Sequence, residues 1–468
     1  MKIRPFPYFL LISLLLAACT LPAPQVRTVS PPGAGLRLYL QPFPQEAHRI
    51  TLTVANLTAR RADGSEELLL QEPLVFKADD LIRVQKKIFT GNLTPGRYLG
   101  LSLSIESATI LTDEGETALL VPNEPLLLNE EFRIDPDQTL ALFLSLSPER
   151  LITDGYRLTP TFSLWKPQPV LPSLKGLVSN AAAGTLTLFE KKTPAVVSVI
   201  DAGKTPQGLV LDQFRRWAYV ALTGDNTIAA FDLTNEKIQG KIRLRASDAP
   251  QELALSPDGR FLVSANVGSN SVSILSASPL AERNRILLTT SPSSVFFGPD
   301  SNHAYVLEPE ANAIAVVDVT RQELGASANL EGSPLRGVAG DDGRSLYLIT
   351  ADSPNLLVLD SSTLEVTERI FVGYGALSLT VNQSNGLIYV GRQSGEIAII
   401  DSRVNLPIDS LQVGDDVAYL TIDQEENTLF AISGQNGRIN KYDLVSKKLL
   451  GTIEADAGSY GLVVMGEE

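Results

Sequence analysis

The chain has 468 residues, 44% of them apolar, and a net charge of −14. A body this acidic, with no basic stripe, repels phosphate backbones and speaks against a nucleic-acid partner. One Cys excludes an internal disulfide, and only two His and two Trp leave little for His-based catalysis or Trp-lined cofactor sites.

Lys2 and Arg4 open the chain, followed by an apolar run from Phe6 to Ala18 that closes on Leu16-Ala17-Ala18-Cys19. A charged start, an apolar middle and a small-residue end form the plan of a secretory signal. The run spans 13 residues, short of the roughly 20 that a membrane-spanning helix needs. These residues resemble the bacterial lipoprotein family, whose lipobox reads Leu-(Ala/Ser)-(Gly/Ala)-Cys. The resemblance implies that residues 1–18 are removed and that Cys19 carries diacylglycerol and anchors the protein in the cell envelope. Thr20, rather than Asp, follows Cys19, which by analogy favours the outer membrane where a cell has one. Two or more acyl chains anchor far more firmly than one.

Residues 19–34, with Pro22, Pro24, Pro31 and Pro32, read as a semi-extended tether. Residues 35–165 carry short alternating segments such as Leu36-Arg37-Leu38-Tyr39-Leu40 and Arg49 to Val54, with turn signals at Leu93-Thr94-Pro95-Gly96 and Asp135-Pro136-Asp137. Closely spaced strands without a convincing helix predict a β-sandwich. The opening strand, Leu93 to Tyr98 and Tyr156-Arg157-Leu158-Thr159-Pro160 resemble an uncharacterised N-terminal domain family of bacterial lipoproteins. That resemblance implies no activity.

Residues 166–175 form a second Pro-rich linker, and a repeat follows over 176–466. Tyr219, Leu262, Tyr305, Tyr347, Tyr389 and Phe430 recur at intervals of 41 to 43 residues. Asp232, Ser276, Asp318, Asp360, Asp401 and Asp443 keep a second register of 41 to 44. Four strand-like segments per period of this length predict propeller blades. Within one repeat, strands are expected over 251–255, 260–265, 271–275 and 284–288, with Ser256-Pro257-Asp258-Gly259 as a turn. Six full repeats leave a seventh split between Gly458 to Met465 and Leu177 to Ala202. The predicted fold is therefore all-β: an N-terminal β-sandwich, then a seven-bladed β-propeller closed by a split blade. A blade cannot bury both faces alone, so the ring must close to make its core.

The stretches Ala218-Tyr219-Val220, Ala304-Tyr305-Val306, Leu346-Tyr347-Leu348 and Ile388-Tyr389-Val390, with Asp225-Asn226-Thr227-Ile228, resemble the YVTN family of bacterial β-propellers. The architecture is also similar to that of seven-bladed 6-phosphogluconolactonases.

The repeated Asp residues are expected to cap turns, since an Asp at a strand end accepts hydrogen bonds from the backbone that follows it. No G-x-S-x-G, phosphate loop or H-E-x-x-H is present, so no catalytic or metal-ligating residue is assigned. Propeller geometry brings the loops that lead into the inner strands, and those joining second to third strands, onto one face. The candidate ligand-binding residues there are Lys204, Gln207, Glu252, Asn270, Arg336, Tyr374, Arg392, Asp415, Asp416 and Tyr460. Asp225, Asn226, Asp248, Glu308, Glu310, Tyr419 and Asn436 lie in the same loops.

The expected function is that of a lipid-anchored extracytoplasmic binding or scaffold protein, without catalysis, whose loop face engages a protein, glycan or small polar ligand. One alternative is a lactonase-like hydrolase, Ca²⁺-dependent in one form, for which Glu252, Asn270, Asp415 and Asp416 are the available groups. Another is a structural component of the envelope or a surface layer. No other cofactor is expected. A fold by itself does not choose among these.

Overall fold

The computed structural model describes residues 35–466 apart from 45, 46, 137 and 435. The expected signal, Cys19 and the expected tether lie outside the described residues. The described chain is all-β but for short 3-10 turns, and it forms one compact unit.

Alternating apolar residues build two N-terminal sheets. Gly35–Leu40 lies between Thr139–Leu146, which is parallel to it, and Val84–Asn92, which is antiparallel. Ile50–Arg61 pairs along its length with Gly96–Thr112 in the other sheet. Leu36, Leu38, Leu40, Leu142 and Leu144 meet Leu52, Val54, Leu101 and Leu103 between the sheets. The Leu93–Gly96 turn is tied down by Tyr98, whose single hydroxyl proton is shared between the Thr94 carbonyl at 2.7 Å and Glu67 Oε1 at 2.8 Å.

Beyond the linker, four-stranded antiparallel sheets repeat. Blade 1 joins Lys175–Asn180, Thr185–Glu190 and Ala195–Asp201 to the C-terminal strand Ser459–Val464. The two ends of the propeller sequence thus share one sheet, as the split-blade reading expects. Blades 2 to 6 begin at the inner strands Pro206–Asp212, Pro250–Leu255, Ser294–Phe297, Pro334–Ala339 and Ala376–Asn382. Every repeated aromatic or Leu anchor sits on a second strand and is almost fully buried. The third strand of blade 3 starts at Ser271 as expected, but its outer strand runs Ala281–Leu287, because its pairing skips Arg283 at a bulge and continues until Ala281 lies opposite Ser276.

The expectation of seven separate blades needs correction. Six four-stranded sheets stand alone. The remaining unit, Tyr419–Asp423, Thr428–Ile432, Arg438–Asp443 and Leu449–Glu454, is part of an eight-stranded sheet shared with the N-terminal strands. Its outer strand pairs in parallel with Val84–Asn92, matching Thr452 to Val84 and Ile453 to Gln85. This unit is the terminal blade. An outer propeller strand has a free row of backbone donors and acceptors, and here another sheet uses it.

The same junction buries both faces of Gly35–Leu40. Leu36, Leu38 and Leu40 face the N-terminal core, while Tyr39, with Ala141 and Phe143, packs against Val178, Phe189, Phe430 and Ile453 of the propeller. Arg37 follows Tyr39 to that side and is buried with a partner. Asp456, in the loop before the closing strand, takes Arg37 Nε at 3.0 Å, Lys87 Nζ at 2.8 Å and the Thr185 hydroxyl at 3.0 Å.

Candidate functional site

The inner strands crowd the propeller axis. A Cβ on Gly208 would lie 2.5 Å from the Gln251 carbonyl of the neighbouring blade, so only glycine permits that approach. In blades 3 and 5 the inner strand shifts register between Pro250 and Glu252 and between Pro334 and Arg336. Such bulges re-aim the side chain that follows. Glu252 and Arg336 are the residues that follow, and they belong to non-adjacent blades. They meet across the central channel, Arg336 Nη1 donating to Glu252 Oε1 at 3.1 Å.

Two tyrosines complete the cluster. Tyr460 of blade 1 donates its hydroxyl to the same Glu252 oxygen at 2.8 Å and accepts from Gln251 Nε2 at 3.1 Å. The Arg336 guanidinium lies 5.5 Å from the ring centre of Tyr419 and 5.8 Å from that of Tyr460, within cation–π range. Burial and then the Glu252 charge push the Tyr419 hydroxyl up to about 12 and raise Tyr460 well above the ordinary tyrosine range. Burial disfavours the Arg336 charge, but Glu252 and the two tyrosines outweigh it and keep the guanidinium charged. Side-chain exposure is 12% for Glu252 and 22% for Arg336, so channel solvent still reaches the pair.

Of the ten candidate residues, the structure gathers Glu252, Arg336 and Tyr460 into this cluster. Gln207 lies on the inner strand of blade 2 and accepts the Thr223 hydroxyl at 2.7 Å. The others serve their own loops. The Lys204 amide donates to Asp225 at 2.8 Å. Asn270 holds a left-handed turn at φ 48°, Arg392 pairs with Glu396, and Tyr374 is 72% exposed. Asp416 accepts Ser433 Oγ at 2.9 Å and the Gly434 amide at 3.2 Å, whereas Asp415 lines a separate cleft beside the terminal blade. Glu252, Asn270, Asp415 and Asp416, the groups a Ca²⁺-dependent hydrolase would use, therefore have different partners and share no site.

Gln251 is a cluster member absent from the sequence candidates. Glu252 and Arg336 lie 84 residues apart, two repeat lengths, at matching places after a Pro. Opposite charges in matching registers were the available signal. The Asp series forms turns: Asp232 accepts the Thr234 amide at 2.7 Å, Asp318 that of Arg321 at 2.8 Å, Asp360 that of Ser362 at 2.9 Å and Asp443 that of Ser446 at 2.6 Å. His303 starts the second strand of blade 4, and its Nδ1 is 2.6 Å from Asp300 Oδ2. Among the described residues no group of three His, Cys, Asp or Glu side chains is arranged to hold a metal ion.

Sheets radiating from a channel are a propeller, and the sequence agrees. Residues 172–384 match the YNCE-like β-propeller family. The matching family model is thus a propeller model, as expected, and it is the YNCE-like one. The chain matches no curated protein. Among solved structures, it is similar to a functionally unknown protein from Desulfotomaculum acetoxidans at 13% identity and a TM-score of 0.58, covering 63% of this chain and 100% of that one. It is also similar to the dihydro-heme d1 dehydrogenase NirN, solved in complex with DHE, at 15% identity and a TM-score of 0.50, covering 64% of this chain and 77% of that one. At such identities the likeness speaks to fold alone.

Proposed function

We propose that the chain is an exported, lipid-anchored binding or scaffold protein of the cell envelope, without catalysis of its own. It is moored through Cys19 and offers the propeller's loop face to a protein, glycan or small polar ligand. The observation that supports the non-catalytic reading is that Glu252 is built into a tie between blades. Arg336 and Tyr460 both donate to Glu252 Oε1, so the carboxylate is matched by partners within the protein. Such a self-neutralised centre ties blades 1, 3 and 5 together and leaves recognition to exposed loop residues such as Tyr374.

Two measurements test the reading. Radiolabelled palmitate is expected in the wild-type chain and not in Cys19→Ser. A photo-crosslinker at position 374 is expected to capture one envelope component reproducibly. Turnover of a sugar lactone by the wild type, abolished in Glu252→Gln, would overturn the non-catalytic reading.

A further inference from the structure

A cleft of about 390 Å³ opens where the N-terminal sheet joins the terminal blade, away from the channel cluster. Its volume lies within the roughly 300–1,000 Å³ of small-molecule sites. Both parts of the chain build it: Asp80, Val84 and Lys86 come from the N-terminal strands and their connections, and the rest from the propeller. The parallel pairing of Val84 with Thr452 holds the two walls in register.

The floor is polar and fixed. Thr452 donates its hydroxyl to Asn440 Oδ1 at 2.6 Å, and both side chains are buried. Tyr442 lies beside them, its hydroxyl pushed up to about 12 by burial and by the charge of Asp415, so it stays a donor. On the rim, Glu454 holds the Lys87 amide with Oε2 at 3.1 Å, while its Oε1 is 3.7 Å from Arg438 Nε. That second contact is too long for a hydrogen bond, and a ligand hydroxyl placed between the two groups would satisfy both.

The charges decide the ligand class. Lys86 and Arg438 face Asp80, Asp415 and Glu454. A phosphate or carboxylate would meet three carboxylates, and an ammonium would meet two cations. A neutral polyhydroxyl compound fits both signs, since each hydroxyl donates to one group and accepts from another. Val84 and Leu449 offer apolar contact for its C–H face. We propose that this bipartite cleft binds a neutral saccharide unit, either a free sugar or the end of a glycan.

The test uses the full chain, purified in a detergent without a sugar headgroup. Saturation-transfer NMR is run with maltose, trehalose and N,N′-diacetylchitobiose, then with a longer chitin oligosaccharide, glucosamine and glucose 6-phosphate. At least one neutral sugar is expected to show saturable transfer. Preference for the longer oligosaccharide assigns the site to a glycan end, and equal affinity assigns it to a free sugar. Asp415→Asn and Arg438→Ala are each expected to weaken binding at least tenfold while leaving the melting temperature within 2 °C, since Arg438 is 46% exposed. Lys86→Ala is expected to weaken it as well. Three results would each overturn the proposal: no transfer from any neutral sugar, tighter binding of the charged sugars, or unchanged affinity in both Asp415→Asn and Arg438→Ala. Channel and crosslinking results bear on none of these outcomes.

Discussion

Replacing Asp456 tests how the two parts of the chain are joined. Its side chain is 1% exposed, and it is the shared partner of Arg37 and Lys87, whose side chains are 10% and 19% exposed. At an effective dielectric near 20, each cation at this spacing attracts the carboxylate by about 5 to 6 kcal/mol before desolvation. Desolvating three charges takes back most of that gain, so the trio adds little net stability when intact. Removing one member leaves the others buried and unpaired, which costs about 3–5 kcal/mol. Asp456→Asn is therefore expected to lower the free energy of unfolding by about 3 kcal/mol, read by urea titration followed through both circular dichroism and tyrosine fluorescence. Adding Arg37→Met to that variant removes one stranded cation and is expected to restore at least 1 kcal/mol, giving a non-additive cycle. The dependence on pH has a defined sign. Burial raises the Asp456 pKa, but Arg37 and Lys87 outweigh it and hold it below the ordinary 3.8. The stabilisation is then complete above about pH 4 and lost as acid takes the solution down through the folded-state value. A loss under about 1 kcal/mol in Asp456→Asn, or strict additivity with Arg37→Met, would refute the picture of three mutually dependent buried charges.

Other outcomes follow from the same geometry. Glu252→Gln removes the counter-charge of Arg336 and is expected to cost about 2 kcal/mol in a urea titration, the open channel softening the penalty. Tyr98→Phe deletes the hydroxyl that ties the Leu93–Gly96 turn to Glu67 and is expected to cost about 1–2 kcal/mol by the same titration. Lys191→Met leaves Asp423 buried beside the C-terminal end, where Lys191 Nζ now lies 2.9 Å from Asp423 and 2.7 Å from the Met465 carbonyl. Hydrogen exchange is expected to rise first in Ser459–Val464, the strand that closes the ring.

How much could be read in advance depended on the range of the interaction. Tyr219, Leu262 and their successors stand out because each repeat must bury an anchor on its second strand, and a shared demand leaves a shared period. The Asp turns were legible because an aspartate and the amides it accepts lie two or three residues apart. Glu252 and Arg336 are each legible as polar residues of the loop face, but their meeting is not, since it depends on which blades face each other across the channel.

The sequence by itself determined the all-β character, the repeat and the split closure, because burial periodicity and turn chemistry are local and recur. Tertiary structure alone decided that the terminal blade shares a sheet with the N-terminal strands. It decided too that Arg37, which alternates with leucines like a solvent-facing residue, is buried against Asp456, 419 residues away. The physical reason is that a strand's second face and its free edge are chemically uncommitted. Water, a second sheet or an ion pair can satisfy them equally well, and only the assembled chain selects one.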